Sequence, residues 1–361
     1  MKLLSTLTCV LTMSISSASH AQIGMRHIQS GHMPITVVYP TAAVAQPFTQ
    51  GAFTIQVAHN AVPLAAATGQ RSLIVLSHGT AGSALPDHSL AATLAKAGFV
   101  VAQPEHRGDN WQDFSRAGPE SWKTRPHDVV DAINAVAQDA VLAPLVNTQR
   151  VGVHGMSAGG VTGLALAGAQ WRMLDVVQHC AQHLDKDIGF CLNGLAMHPM
   201  QQSLRKGQFL MGRMLTESNA PTSMKTLHGG HDVSAQGNLR QDPRPDPRIA
   251  AVSLLVPVAA IFTPDSLSRI RIPVGLTTAG NDSVLLPRFH SGHVMAHCKT
   301  CTVLSDHPSA GHFDWLSPWP ATVAQSVAAT QMRGGLPNPA FTDAARQQAF
   351  DKIALFFKAQ L

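Results

Sequence analysis

Short, continuous apolar runs recur along this chain, separated by segments whose apolar residues fall at helical spacing. Arg71 to Ser77 (RSLIVLS) is the clearest run. It is rich in branched residues without polar alternation, which predicts a strand buried on both faces. Asp87 to Ala97 has helical spacing, and Gly98 supplies its stop. Phe99 to Gln103 (FVVAQ) is the next predicted strand. Thr124 to Gln138 is the next helix, with Val129, Ile133 and Val136 on one face. Val151-Gly152-Val153 is again strand-like and leads through a Gly-rich turn into the small-residue segment Gly160 to Ala167. Runs at Ile249 to Ala260, Ile272 to Thr278 and Cys301 to Leu304 continue the series, and Ala344 to Leu361 closes it as an amphipathic helix. This alternation predicts the α/β class, with a mostly parallel central sheet and helices on both faces. Ahead of it, Ile35 to Tyr39 and Phe53 to Ala58 are punctuated by Pro40, Pro47 and Gly51 and predict an antiparallel edge.

Two stretches break the pattern. From Leu174 to Arg248 the periodicity weakens and ends in the Pro-rich run Asp242 to Arg248, which predicts an insertion of about 174–248 capping one end of the sheet. At the start, Lys2, an apolar Leu3 to Ile15 and Ser19-His20-Ala21 have the layout of a secretory signal peptide cut after Ala21. The expected organisation is therefore residues 1–21 as a signal and 22–361 as a single domain, exported to the periplasm or outside the cell. The apolar part is short and interrupted by Ser and Thr, so membrane insertion is not expected.

Composition adds little to this picture. A net charge of +5 with scattered Lys and Arg gives no patch for nucleic acid. Removing the signal removes Cys9 and leaves Cys180, Cys191, Cys298 and Cys301, an even count that predicts two disulfides in an oxidising compartment. Proximity favours Cys180–Cys191 and Cys298–Cys301. The alternative for the second pair is a metal site with His290, His293 and His297.

Chemistry enters at Arg150 to Val161. Gly155-Met156-Ser157-Ala158-Gly159 lies between a predicted strand and a predicted helix, the setting of a nucleophile elbow. Such a turn holds its central residue in a strained conformation while the flanking glycines admit closely approaching backbone. Ser157 is thus the candidate nucleophile, with the Ala158 N–H facing a developing oxyanion. A serine hydroxyl needs a base, and the base a carboxylate that fixes its tautomer. The expected order is Ser, then acid, then His. Asp282 follows a predicted strand in Gly280-Asn281-Asp282, and His312 follows the last one in Gly311-His312-Phe313. Asp306 and His307 are the second choices. The other oxyanion donor is expected from the Thr80 N–H in His78-Gly79-Thr80, with His78 packing beneath that loop. Trp111, Trp315 and Trp319 are candidates for an apolar pocket or for the core.

His78-Gly79-Thr80, Gly98 to Ala102, Glu105-His106-Arg107, the elbow, Gly280-Asn281-Asp282 and Gly311-His312-Phe313 stand in an order that names a likeness. The chain resembles the predicted dienelactone hydrolase group, itself similar to platelet-activating-factor acetylhydrolases. The likeness runs from about Ser72 to Leu361 and is weakest across the insertion. It implies the α/β-hydrolase fold and cleavage of carboxylic esters, small or lipid-like, without metal or organic cofactor. Where true dienelactone hydrolases have a cysteine nucleophile, Ser157 stands here. Three other readings stay open: a serine peptidase or amidase of the same fold, a non-catalytic binding relative, and a metal store built on His228, His231, His290, His293 and His297.

Overall fold

The computed structural model describes residues 22–192, 207, 210–211, 246–316, 318–329, 338 and 340–361. The expected signal peptide, most of the stretch 193–245, and His228 and His231 lie outside them. The described strands are β1 (Gln22–Ser30), β2 (Met33–Thr41), β3 (Gln46–Gln50), β4 (Phe53–His59), β5 (Arg71–Ser77), β6 (Val100–Pro104), β7 (Val146–Met156), β8 (Ile249–Leu255), β9 (Val274–Ala279) and β10 (Cys301–His307). They form one sheet in the order β10-β9-β8-β7-β5-β6-β2-β1-β4-β3. From β10 to β6 every neighbouring pair is parallel, whereas β6–β2, β2–β1 and β4–β3 are antiparallel.

The described helices are α1 (His88–Lys96), α2 (Pro119–Gln138), α3 (Ala158–Leu166), α4 (Met173–His183), α5 (Ile188–Cys191), α6 (Pro264–Ser268), α7 (Ser291–His297), α8 (Ala321–Ala329) and α9 (Asp343–Gln360). They cover both faces, which is why the central strands carry no polar alternation. On β5, Leu73 and Val75 join the core with α2, α3 and α4, while Ile74 and Leu76 join that with α1 and α9. Gly152 of β7 makes room for α9: a Cβ there would come within 2.7 Å of the Phe357 ring.

Strand β1, held between β2 and β4, and the edge strand β3 escape the sequence reading because exposed polar residues such as His27, Gln29 and Gln46 break up their apolar pattern. Helix α2 begins well before Thr124. Gly118, at φ 99°, opens it, and Pro119 takes the first turn, where its missing N–H costs nothing. Residues 174–192, read from sequence as part of the insertion, pack into the main core through Val176, Val177, Cys180, Phe190 and Cys191. The Cys180–Cys191 disulfide ties α4 to α5, and a second bridge joins Cys298 to Cys301 at the foot of β10. No described helix is long and apolar enough to cross a membrane.

Asp87 precedes α1 and is only 7% exposed. Burial raises its carboxyl from the ordinary range to about 7. The stability this group contributes is fully present below about pH 4, where the unfolded chain is also protonated. It is lost as pH rises through about 7, because the folded state resists ionisation that the unfolded state accepts. Asp87→Asn is therefore expected to gain stability over wild type between pH 4 and 7, on the order of 4 kcal/mol at the upper end. Urea unfolding of both proteins at pH 4, 5.5 and 7.5 checks this; a difference that does not grow with pH would contradict it.

Candidate active site

The elbow is built by close backbone contact. A Cβ on Gly155 would lie 2.1 Å from the Gly159 carbonyl oxygen, and one on Gly159 would lie 1.9 Å from that of Ser77. Between them Ser157 adopts φ 55°, ψ −115°, a conformation that side-chain-bearing residues rarely take. Its backbone is pinned on both sides: the N–H donates to Leu255 O (3.0 Å), and the carbonyl accepts from Gly160 N (2.8 Å) and Val258 N (2.9 Å). The hydroxyl therefore stands at a fixed point beyond the carboxyl ends of β7 and β8.

His312 Nε2 lies 2.9 Å from Ser157 Oγ, and His312 Nδ1 lies 2.7 Å from Asp282 Oδ2. The Asp282 carboxylate accepts at Nδ1–H, which leaves Nε2 to accept the serine proton. Asp282 Oδ1 is held in turn by the N–H groups of Val284 (2.9 Å) and Leu285 (2.7 Å). Asp282 is 3% and His312 1% exposed, so this chain is shielded from water everywhere except at the serine. Asp314 sets the histidine loop, accepting from Gly311 N (2.7 Å) and Asn338 N (2.9 Å). The structure thus brings together Ser157, Asp282 and His312. Asp306 and His307 are elsewhere: Asp306 accepts from Thr278 Oγ1, and His307 contacts Ser309 and packs edge-on to Phe341.

Residues 87–178 match the sequence profile of the prolyl oligopeptidase family, a span well short of half the chain. Among solved structures, a ferulic acid esterase from Streptomyces cinnamoneus superposes with a TM-score of 0.55 at 16% identity, over 95% of this chain and 91% of that one. The chain has the α/β-hydrolase fold. No curated protein matches it.

In this α/β-hydrolase the loop after β5 carries His78, Gly79 and Thr80 toward the elbow, where a Cβ on Gly79 would stand 3.4 Å from Ser157 Cβ. Among the described residues, neither the Thr80 nor the Ala158 N–H has a hydrogen-bond acceptor, which leaves both free to meet one from outside. His78 is buried beneath the loop. Its Nε2 accepts from His106 N (3.2 Å), so its Nδ1–H donates to Gly79 O (2.7 Å). Burial, with His106 and Arg125 nearby, holds His78 well below the usual imidazole range, and it is neutral at pH 7. Glu105-His106-Arg107 lies alongside. Ser77 Oγ donates to His106 Nε2 (2.7 Å), and His106 Nδ1–H donates to Asp128 Oδ2 (3.1 Å). That is a second Ser–His–Asp chain, but Ser77 is 1% exposed and its hydroxyl faces no substrate. Access distinguishes it from the first.

A further layer lies behind Asp282. His290, grouped from sequence with possible metal ligands, is buried and accepts from Ala259 N (3.1 Å). Its Nε2–H donates to Asp187 Oδ2 (3.1 Å), which His179 Nε2 also contacts (2.8 Å). Burial alone would raise Asp187, but the hydrogen bonds from His179 and His290 outweigh it and hold the carboxyl at about 2. Sequence reasoning missed this network because its members lie far apart in the chain. Among the described residues no cluster of three His, Cys, Asp or Glu side chains could hold a metal ion. Trp315 is buried in the core, Trp319 packs on Phe313 beside His312, and Trp111 is 49% exposed.

Proposed function

We propose that this protein is an exported serine hydrolase that cleaves carboxylic esters, with short acyl groups preferred. The observation that carries the reading is the unbroken hydrogen-bonded chain from Ser157 Oγ through His312 to Asp282. In this reading Ser157 attacks the acyl carbon as His312 takes its proton, and Asp282 stabilises the imidazolium. The Thr80 and Ala158 N–H groups hold the oxyanion. His312 then donates the proton to the leaving alcohol, and a water activated by the same histidine releases the acid. The resemblance to the predicted dienelactone hydrolase and acetylhydrolase group supports an ester substrate, as does the fold shared with a ferulic acid esterase. The two disulfides and the signal-like N-terminus support export. The rest of the stretch up to Arg248 is proposed to cap the site.

The match of residues 87–178 to the prolyl oligopeptidase family favours a second reading, an amide or peptide bond as the target. p-Nitrophenyl esters of increasing chain length, run beside matched anilides and a fluorophosphonate probe, separate the possibilities. Ester turnover peaking at short chains, with the probe on Ser157, is the expected result. Faster anilide cleavage would move the assignment to a peptidase, and no turnover with no labelling would leave a binding protein.

A further inference from the structure

Beneath the loop that carries Thr80 lies a fully buried ion pair that the triad does not use. Arg125, from α2, and Asp109, from the loop after β6, are both 0% exposed. Arg125 Nη2 and Nε lie 2.7 and 3.1 Å from Asp109 Oδ2. The rest of the guanidinium is spent on backbone: Nη1 donates to His78 O (2.5 Å) and Nη2 to Gly79 O (3.1 Å). Asp109 Oδ1 accepts from Ala81 N (2.8 Å), and Ser121 Oγ donates to Asp109 Oδ2 (2.5 Å). The pair thus grips the loop on both sides of Thr80.

The geometry of the peptide unit gives that grip a direction. Gly79 C=O and Thr80 N–H belong to one trans peptide plane and point opposite ways. Gly79 O accepts from three donors at once: Arg125 Nη2 (3.1 Å), His78 Nδ1 (2.7 Å) and Gly82 N (3.2 Å). Fixing the carbonyl end fixes the N–H end, which points away from the buried cation, in a loop whose Gly79 lies against Ser157. A cation on the carbonyl also polarises the plane and makes the N–H a stronger donor. Ala81 sits at φ 52°, a left-handed conformation an alanine keeps only where its surroundings over-determine it.

We propose that Arg125 and Asp109 are positioning residues that aim and polarise the Thr80 N–H at the oxyanion. The proposal rests on the serine-hydrolase reading and deepens it. The test uses Arg125→Lys, which keeps the charge but cannot reach Asp109, His78 O and Gly79 O together. With p-nitrophenyl acetate, kcat is expected to fall about a hundredfold, the scale of losing one oxyanion donor, with KM nearly unchanged. An alkyl trifluoromethyl ketone, which forms a tetrahedral oxyanion on the serine, should bind weaker by a similar factor.

A purely structural ion pair would lower the thermal midpoint without moving these two readouts together. A folded Arg125→Lys with wild-type kcat, or one losing kcat but not ketone affinity, overturns the proposal. Should Arg125→Lys fail to fold, Ser121→Ala loosens Asp109 more gently and carries the same paired readout. A parallel several-fold loss in both supports the proposal, and no loss in either overturns it. Wild type that neither cleaves the ester nor binds the ketone would instead sink the hydrolase reading itself.

Discussion

Ser157→Ala is expected to lower kcat for p-nitrophenyl acetate by roughly five to six orders of magnitude, leaving what binding and oxyanion stabilisation alone provide. The size follows from how the three side chains act. On the proposed reading, His312 accepts a proton only because Ser157 Oγ presents one at 2.9 Å, and Asp282 acts only through His312. Removing the hydroxyl therefore removes the work of all three together. KM should move little, because the lost interaction belongs to the transition state. Folding should be retained: alanine fits the same space, and the N–H and C=O bonds that pin the turn to Leu255, Gly160 and Val258 are backbone bonds. Steady-state kinetics and a thermal melt on both proteins check this. A variant keeping more than about a hundredth of wild-type kcat would show that another group attacks the substrate.

That prediction could be framed from the sequence, since the elbow combines a local pattern with a local context. The β5 run was equally legible, because a strand covered on both faces has no polar alternation to hide it. Asp282 could be ranked above Asp306, which stands too near the histidine in sequence, and His312 above His307, which lacks a preceding Gly, although the distances needed the fold. What stayed hidden was what depends on side chains meeting across the sheet. Arg125 lies inside an amphipathic helix and Asp109 in a loop, and nothing in either segment shows that they meet under Gly79. His290 and Asp187 are separated by more than a hundred residues, and from sequence His290 alone drew notice, as an alternative metal ligand. Strands β1 and β3 were missed for a different reason. They are half solvated, and β1 carries Arg26 and His27 where a central strand would carry Val or Ile.

Gly159→Ala is expected to abolish folding, and the reason differs from that at an open turn glycine. Gly31 shows that open case: φ is +57° and nothing lies within 4 Å of an added Cβ, so the cost is backbone strain alone, about 1 kcal/mol. Gly159 is helical with ordinary backbone, yet its added Cβ would sit 1.9 Å from Ser77 O and 3.1 Å from His78 O. Those atoms are main chain at the end of β5, and they cannot rotate away as a side chain could. Relief would require α3 to lift from the sheet. That would break the contact between Gly160 and Pro257 and part the elbow from the Thr80 loop. We expect a destabilisation exceeding roughly 5 kcal/mol, enough to leave no soluble folded protein. Gly31→Ala, prepared in parallel, should fold and melt only a few degrees lower. Soluble yield and thermal midpoints of the two variants decide the matter. A well-folded Gly159→Ala would mean that β5 and α3 are not held as close as this geometry requires. The same contact that brings the strand close enough to break on one added methyl also brings Gly79, at the head of the Thr80 loop, against Ser157, so the site and the fold share this weak point.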